Sequence, residues 1–167
     1  MNAASILNKV VKAFDTVGLE AVIIGNAAAA INGAPVTTLD IDFYILNLKK
    51  SEKKIKKIAM LLNASFVPAK NDLTTICHIE NEEEGLFLDF NDNPTGMGSF
   101  ASVRSRSLQF ESEGTRVYVA SLTDIIASKK KANRLKDQAV LPILEMTLEE
   151  TRKQERQRRQ TGRGRGT

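Results

Sequence analysis

Residues 23–45 read IIGNAAAAINGAPVTTLDIDFYI, and the order of apolar, glycine and aspartate residues in this stretch decides the fold. It is entered through a short apolar run, residues 21–24, long enough for a buried strand and too short for an independent helix. Gly25 and Asn26 supply a turn. The alanines from Ala27 to Ala30 then favour a helix of one or two turns, closed by Asn32, Gly33 and Pro35. A loop over 35–38 leads into DIDFYI, whose aromatic and β-branched residues predict a second strand over 40–45.

Side chains alternate faces along a strand, so Asp40 and Asp42 share one face, roughly 6–7 Å apart along the backbone. Two carboxylates in an otherwise apolar strand repel each other and are costly to desolvate unless a cation compensates them. Magnesium or manganese suits such hard oxygen ligands. A third acid, Asp89, stands in LFLDF between Leu88 and Phe90, where a carboxylate has no obvious structural purpose. If that strand lies beside the first, three carboxylates converge and can hold two ions about 4 Å apart. Upstream, a strand ending at Gly25 with a helix directly after it offers free backbone N–H groups and a positive dipole end to an anion. A D-x-D pair or a strand-glycine-helix turn is by itself weak; the two in this order are far more specific.

Outward from this stretch, Ile6, Leu7, Val10, Val11, Phe14 and Val17 recur at helical spacing and predict a helix over 3–17, stopped by Gly18. A lysine-rich amphipathic helix is expected over 51–62, with Ile55, Ile58, Ala59 and Leu62 inward. Strands follow over 65–67, 73–79 and 86–90, the last two forming a hairpin around the acidic turn 80–85. Residues 91–107 read as an irregular loop, and 108–111 with 116–119 as a strand pair around Glu113 and Gly114. Ser121 with Asp124 forms a capping box opening a helix that carries Lys129, Lys130 and Lys131. A final helix begins near Lys136 and Asp137 and extends toward Arg159, before the low-complexity TGRGRGT, expected to be disordered. Lys136 and Asp137 read equally as a salt-bridged helix start or as functional groups. His78, the sole histidine, reads as structural, and no Ser-His-Asp or zinc arrangement can be assembled around it.

A chain of 167 residues with 42% hydrophobic content supports one core plus appendages. The boundaries expected are a folded domain over 1–150 and a basic, partly disordered tail over 151–167. The net charge is +4, but seven cations against Glu155 in the tail leave the first 150 residues at −2. An arginine-rich arm is a non-specific contact for RNA, since each neutralised phosphate releases counterions, or else a solubilising tail. The lone Cys77 excludes an internal disulfide and a thiolate metal site, and reads as a buried small hydrophobe. No segment approaches the roughly 18 apolar residues of a membrane span, and MNAASILNKV lacks the pattern of a signal peptide. No membrane partner and a cytoplasmic location are therefore expected.

The 23–45 stretch resembles the signature of the DNA polymerase beta-like nucleotidyltransferase superfamily, in which a strand and a Gly-Gly or Gly-Ser turn precede a D-x-D strand. Within it, the chain looks like the small proteins related to the abortive-infection toxin nucleotidyltransferases, through LFLDF and VASLTDIIASKKKANRLKD, with its R-x-K-D segment. The resemblance covers roughly residues 18–145. It implies an α/β (α+β) nucleotidyltransferase fold, a mixed sheet with helices packed mainly on one side. The implied activity is transfer of a nucleoside monophosphate from a nucleoside triphosphate to a hydroxyl of RNA, such as a tRNA end, or of a protein. By the same resemblance Asp40, Asp42 and Asp89 bind catalytic Mg2+ or Mn2+, and Asp89 doubles as a base. Gly25, Asn26, Thr38, Lys129 and Lys136 go to the nucleotide, with Lys129 also catalytic, and a toxin-antitoxin or abortive-infection setting follows. One position departs from the pattern: asparagine stands at 26, where the family has glycine or serine, which predicts a less close approach of backbone to phosphate and a slower reaction. Two other readings of the same residues are a non-enzymatic, antitoxin-like binding module on this fold and an RNA-binding protein acting through its tail.

Overall fold

The computed structural model describes residues 3–69, 76–112 and 114–163. The elements run α1 (Ala3–Val17), β1 (Ala21–Ile24), α2 (Gly25–Ile31), β2 (Ile41–Ile45), α3 (Leu48–Leu61), β3 (Ser65–Val67), β4 (Ile76–Asn81), β5 (Leu86–Asn91), α4 (Phe100–Arg106), β6 (Leu108–Ser112), β7 (Thr115–Val119), α5 (Leu122–Ala132) and α6 (Leu135–Arg163). The strands form one sheet in the order β3-β4-β5-β2-β1-β7-β6. It is mixed: β2 runs parallel to β5 and β1 parallel to β7, while the β1–β2, β3–β4, β4–β5 and β6–β7 pairs are antiparallel.

Register assigns the two faces. Ile23, Phe43 and Phe90 are cross-strand partners, as are Ile41 with Leu88, Leu88 with Ile79, Phe90 with Cys77 and Ile23 with Val119, so these side chains share one face. Helix α1 covers it. Phe14 lies 4.7 Å from Phe43 and 5.8 Å from Phe90 between ring centroids, and the latter two rings stack at 5.5 Å. Helix α3 packs beside α1, burying Ile55, Ile58 and Ala59, while Lys50, Lys53, Lys54 and Lys57 stay in solvent. Cys77 is buried here, and burial pushes its thiol pKa up to about 12, as befits an inert apolar filler.

The opposite face carries Val22, Ile24, Asp42, Tyr44, His78, Asp89, Asn91 and Tyr118, by the same pairings. It is the polar face, and its cover is partial. Phe100 of α4 meets Tyr44 edge-on at 5.4 Å, while α5 and α6 pack on each other beyond it. Helix α4 falls within the segment read as an irregular loop. Phe100 and Val103, three residues apart and both buried, give it one apolar stripe, and Ser99 caps it by accepting from Ser102 N. Two turns in a polar surrounding offer too little periodicity to be read from sequence.

Smaller differences concern ends. Strand β2 begins at Ile41, leaving Asp40 on the bend before it, and α3 begins at Leu48 because Asn47 caps it by accepting from Lys50 N. Of the strand expected over 73–79, residues 73–75 lie outside the described residues, as do Glu113 of the 108–119 pair and residues 164–167 of the tail. Helix α6 continues through the arginine-rich segment to Arg163.

Candidate active site

The pairing of β2 with β5 sets Asp42 directly across from Asp89, and the bend before β2 returns Asp40 to the same side. One carboxylate oxygen from each of the three lies within 4.8 Å of the other two. The sequence predicted this convergence on the condition that the strands be neighbours, and they are. Burial pushes the pKa of Asp42 up to about 6, reinforced by the charges of Asp40 and Asp89 and opposed by Lys129 and Lys136. Like charges held this close in a half-buried place are the arrangement a divalent cation relieves, and an all-oxygen donor set fits magnesium or manganese.

Two of the acids, Asp40 and Asp89, are each held by a different partner. Thr38 donates its hydroxyl to Asp40 Oδ1 at 2.5 Å. His78, opposite Asp89 on β4, places Nδ1 2.6 Å from Asp89 Oδ1, leaving Oδ2 for another ligand. In the sequence His78 reads as structural, because a histidine in an alternating strand carries no sign of its cross-strand partner; only the β4–β5 register reveals it.

Gly25 closes the site against Asp42. Its φ is +65°, and a Cβ there would stand 2.1 Å from Asp42 Oδ2, so both the backbone conformation and the space exclude a side chain. The turn lets α2 start directly beside the carboxylates. Asn26, next in line, buries its Oδ1 without a hydrogen-bond partner among the described residues.

The facing wall comes from the corner between α5 and α6. Ser121 caps α5 by accepting from Asp124 N, and Asn133, in the left-handed conformation at φ 52°, ends it so that α6 begins two residues later. This corner brings Lys129, Arg134, Lys136 and Asp137 to a cleft of about 460 Å3, shared with Gly25, Asn26, Thr38 and the three acids. The chain segment after β5 closes one side, where Ser128 donates to the Thr95 carbonyl at 2.6 Å. The structure thus gathers every residue singled out for metal or nucleotide around one cleft. Asp137 does not pair with its neighbour Lys136: fully buried, it receives Lys129 Nζ at 3.1 Å and Arg134 Nε at 2.6 Å. Arg134 was not singled out from the sequence, where one arginine among many gives no signal of its direction.

Fold and site together define a class: a nucleotidyltransferase with a carboxylate triad facing a cationic wall. A family model described as nucleotidyl transferase of unknown function (DUF2204) matches residues 3–161, and the chain belongs to that family. No curated protein matches it significantly. Among solved structures it is similar to the antibiotic-resistance factor ANT(2'')-Ia in solution, at 16% identity and a TM-score of 0.56, covering 96% of this chain and 95% of that one. The crystal structure of ANT(2'')-Ia in complex with adenylyl-2''-tobramycin gives 16% identity and a TM-score of 0.57, covering 87% and 88%. A candidate nucleotidyltransferase from Thermotoga maritima gives 17% and 0.56, covering 83% and 89%. At these identities the likeness establishes the fold. No helix among the described residues is long and apolar enough to cross a membrane.

Proposed function

We propose that this protein transfers a nucleoside monophosphate from a nucleoside triphosphate to a hydroxyl acceptor with the help of Mg2+ or Mn2+, and that the acceptor is RNA. The observation that carries the reading is the meeting of Asp40, Asp42 and Asp89 within 4.8 Å beside the side-chain-free turn at Gly25. Cations held by the three acids would screen the charge of the reacting phosphate and of the departing pyrophosphate. Gly25 and Asn26, at the start of α2, receive the polyphosphate on backbone N–H groups, and Lys129 and Lys136 balance its charge from the other wall. Thr38 steadies Asp40. Asp89, aligned by His78, is the group placed to accept the acceptor's proton.

The basic part of α6 supports RNA over the small acceptor named with ANT(2'')-Ia. Arg152, Arg156 and Arg159 repeat every three to four residues, which puts them on one helix face, and every residue from 151 to 160 is exposed. Beyond Leu148 the described helix has no apolar residue to bury against a protein or lipid partner. We place the enzyme in the cytoplasm, a reducing compartment that suits the lone buried Cys77, and, on the strength of the family resemblance, in a toxin-antitoxin or abortive-infection setting.

Incubation with labelled nucleoside triphosphates, magnesium and total RNA tests this. Label is expected on RNA, lost by at least a hundredfold in Asp40→Asn with Asp42→Asn. Label on protein instead would overturn the RNA acceptor, and activity surviving the double change would overturn the site.

A further inference from the structure

We propose that Asp137 is a positioning residue for the polyphosphate site, acting through Lys129 and Arg134, and that Arg134 is a polyphosphate ligand; this rests on the nucleotidyltransfer reading above. Asp137 has no solvent exposure at all, although it lies in the first turn of α6, among the residues that surround the cleft. A carboxylate so placed is expensive unless it is paired. Both oxygens are engaged by cations: Oδ1 accepts from Lys129 Nζ at 3.1 Å and Arg134 Nη2 at 3.3 Å, and Oδ2 from Arg134 Nε at 2.6 Å. Burial works to raise its pKa, and the bonds from Arg134 and Lys129 win, holding it below the usual carboxylate range.

One cation suffices to neutralise one carboxylate. Here two converge on a single carboxylate, leaving a net positive charge beside exposed Lys136, while the opposite wall holds three carboxylates. The two cations are not held alike. The Lys129 side chain is only 11% exposed, its stem confined and its ammonium fixed at the cleft, with donor capacity left after the single bond to Asp137. Arg134 is 61% exposed; one edge of its guanidinium, Nε and Nη2, is docked on Asp137, and Nη1 remains for a second anion. A cleft negative on one wall and positive on the other fits a metal-bound polyphosphate: the acids take the cations, and the corner takes the phosphate oxygens. Asp137 touches neither. It fixes where the positive charges stand.

The test is calorimetric titration of the full-length protein with inorganic tripolyphosphate in magnesium, alongside Mn2+ alone as a check on the triad. Lys129→Met and Arg134→Ala are each expected to weaken tripolyphosphate at least tenfold, while Mn2+ alone still binds the triad. Asp137→Asn should do the same, and should add no further loss in the Lys129→Met, Arg134→Ala background, because it acts only through those two groups. If Asp137→Asn alone fails to fold, the triple variant, which also lacks both cations, supplies that comparison. Unchanged affinity in Lys129→Met and Arg134→Ala, or a further loss on adding Asp137→Asn to them, overturns the inference while leaving the proposed activity standing. No tripolyphosphate binding by the wild-type protein overturns both.

Discussion

Asp42 is where the chemistry of single residues is most exposed to measurement. Its pKa is about 6 in the folded protein against 3.8 in the unfolded chain, so between these values the folded state holds the extra proton. Stability of the metal-free protein therefore falls as pH rises through that window, the reverse of an ordinary salt-bridged aspartate. A shift of roughly two units corresponds to at most about 3 kcal/mol. In EDTA, Asp42→Asn is expected to stabilise the protein at pH 8 by up to about that amount, and by little at pH 4, as read from urea midpoints. An equal gain at both pH values would refute the electrostatic account. The acid pair Asp40 and Asp42 was plain in the sequence as a two-residue spacing expected to share a face, although Asp40 stands one residue before β2 and it is the bend there that brings it to the side of Asp42. The partners of the acids were not: His78 reaches Asp89 from eleven residues away, and Asp137 binds Lys129 rather than adjacent Lys136.

Elements were legible in proportion to their periodicity. Helices α1 and α3 announce themselves by apolar stripes that persist over 15 and 14 residues, whereas the seven residues of α4 do not. Helix α5 was found through its cap. Ser121 Oγ accepts from Asp124 N and donates to Asp124 Oδ2, and Arg106 from the end of α4 also holds Asp124, at 2.6 Å. Ser121→Ala is expected to cost about 1 kcal/mol in chemical denaturation. Because α5 carries Lys129, the same change should also weaken nucleoside triphosphate binding severalfold. A loss of stability with full binding would show that the α5–α6 corner keeps its shape without the cap.

At the scale of the whole molecule, one long helix joins two properties. The first turn of α6 contributes Asp137 to the cleft, Leu144 anchors it in the core, and everything from residue 151 to 160 stands in solvent. Deleting residues 151–167 should leave stability within about 0.5 kcal/mol, since no buried side chain is lost from the described part. RNA binding should weaken, and the slope of log affinity against log salt should shrink by about 2 for three arginine-phosphate contacts. An unchanged salt slope would show that RNA, if bound, is held elsewhere.

What the amino-acid order determined alone is local: the strand-glycine-helix turn, two aspartates two residues apart at the head of a strand, an apolar third strand with an acid in it, and a basic end. These follow from backbone sterics and side-chain alternation, which act over a few residues. Only the tertiary structure decided that β5 lies beside β2, so that Asp89 meets Asp42, and that the α5–α6 corner turns Lys129, Arg134 and Asp137 to face them. Charges so far apart along the chain are brought together by burial of the Phe14, Phe43 and Phe90 cluster and the sheet around it, a collective gain that no short stretch encodes.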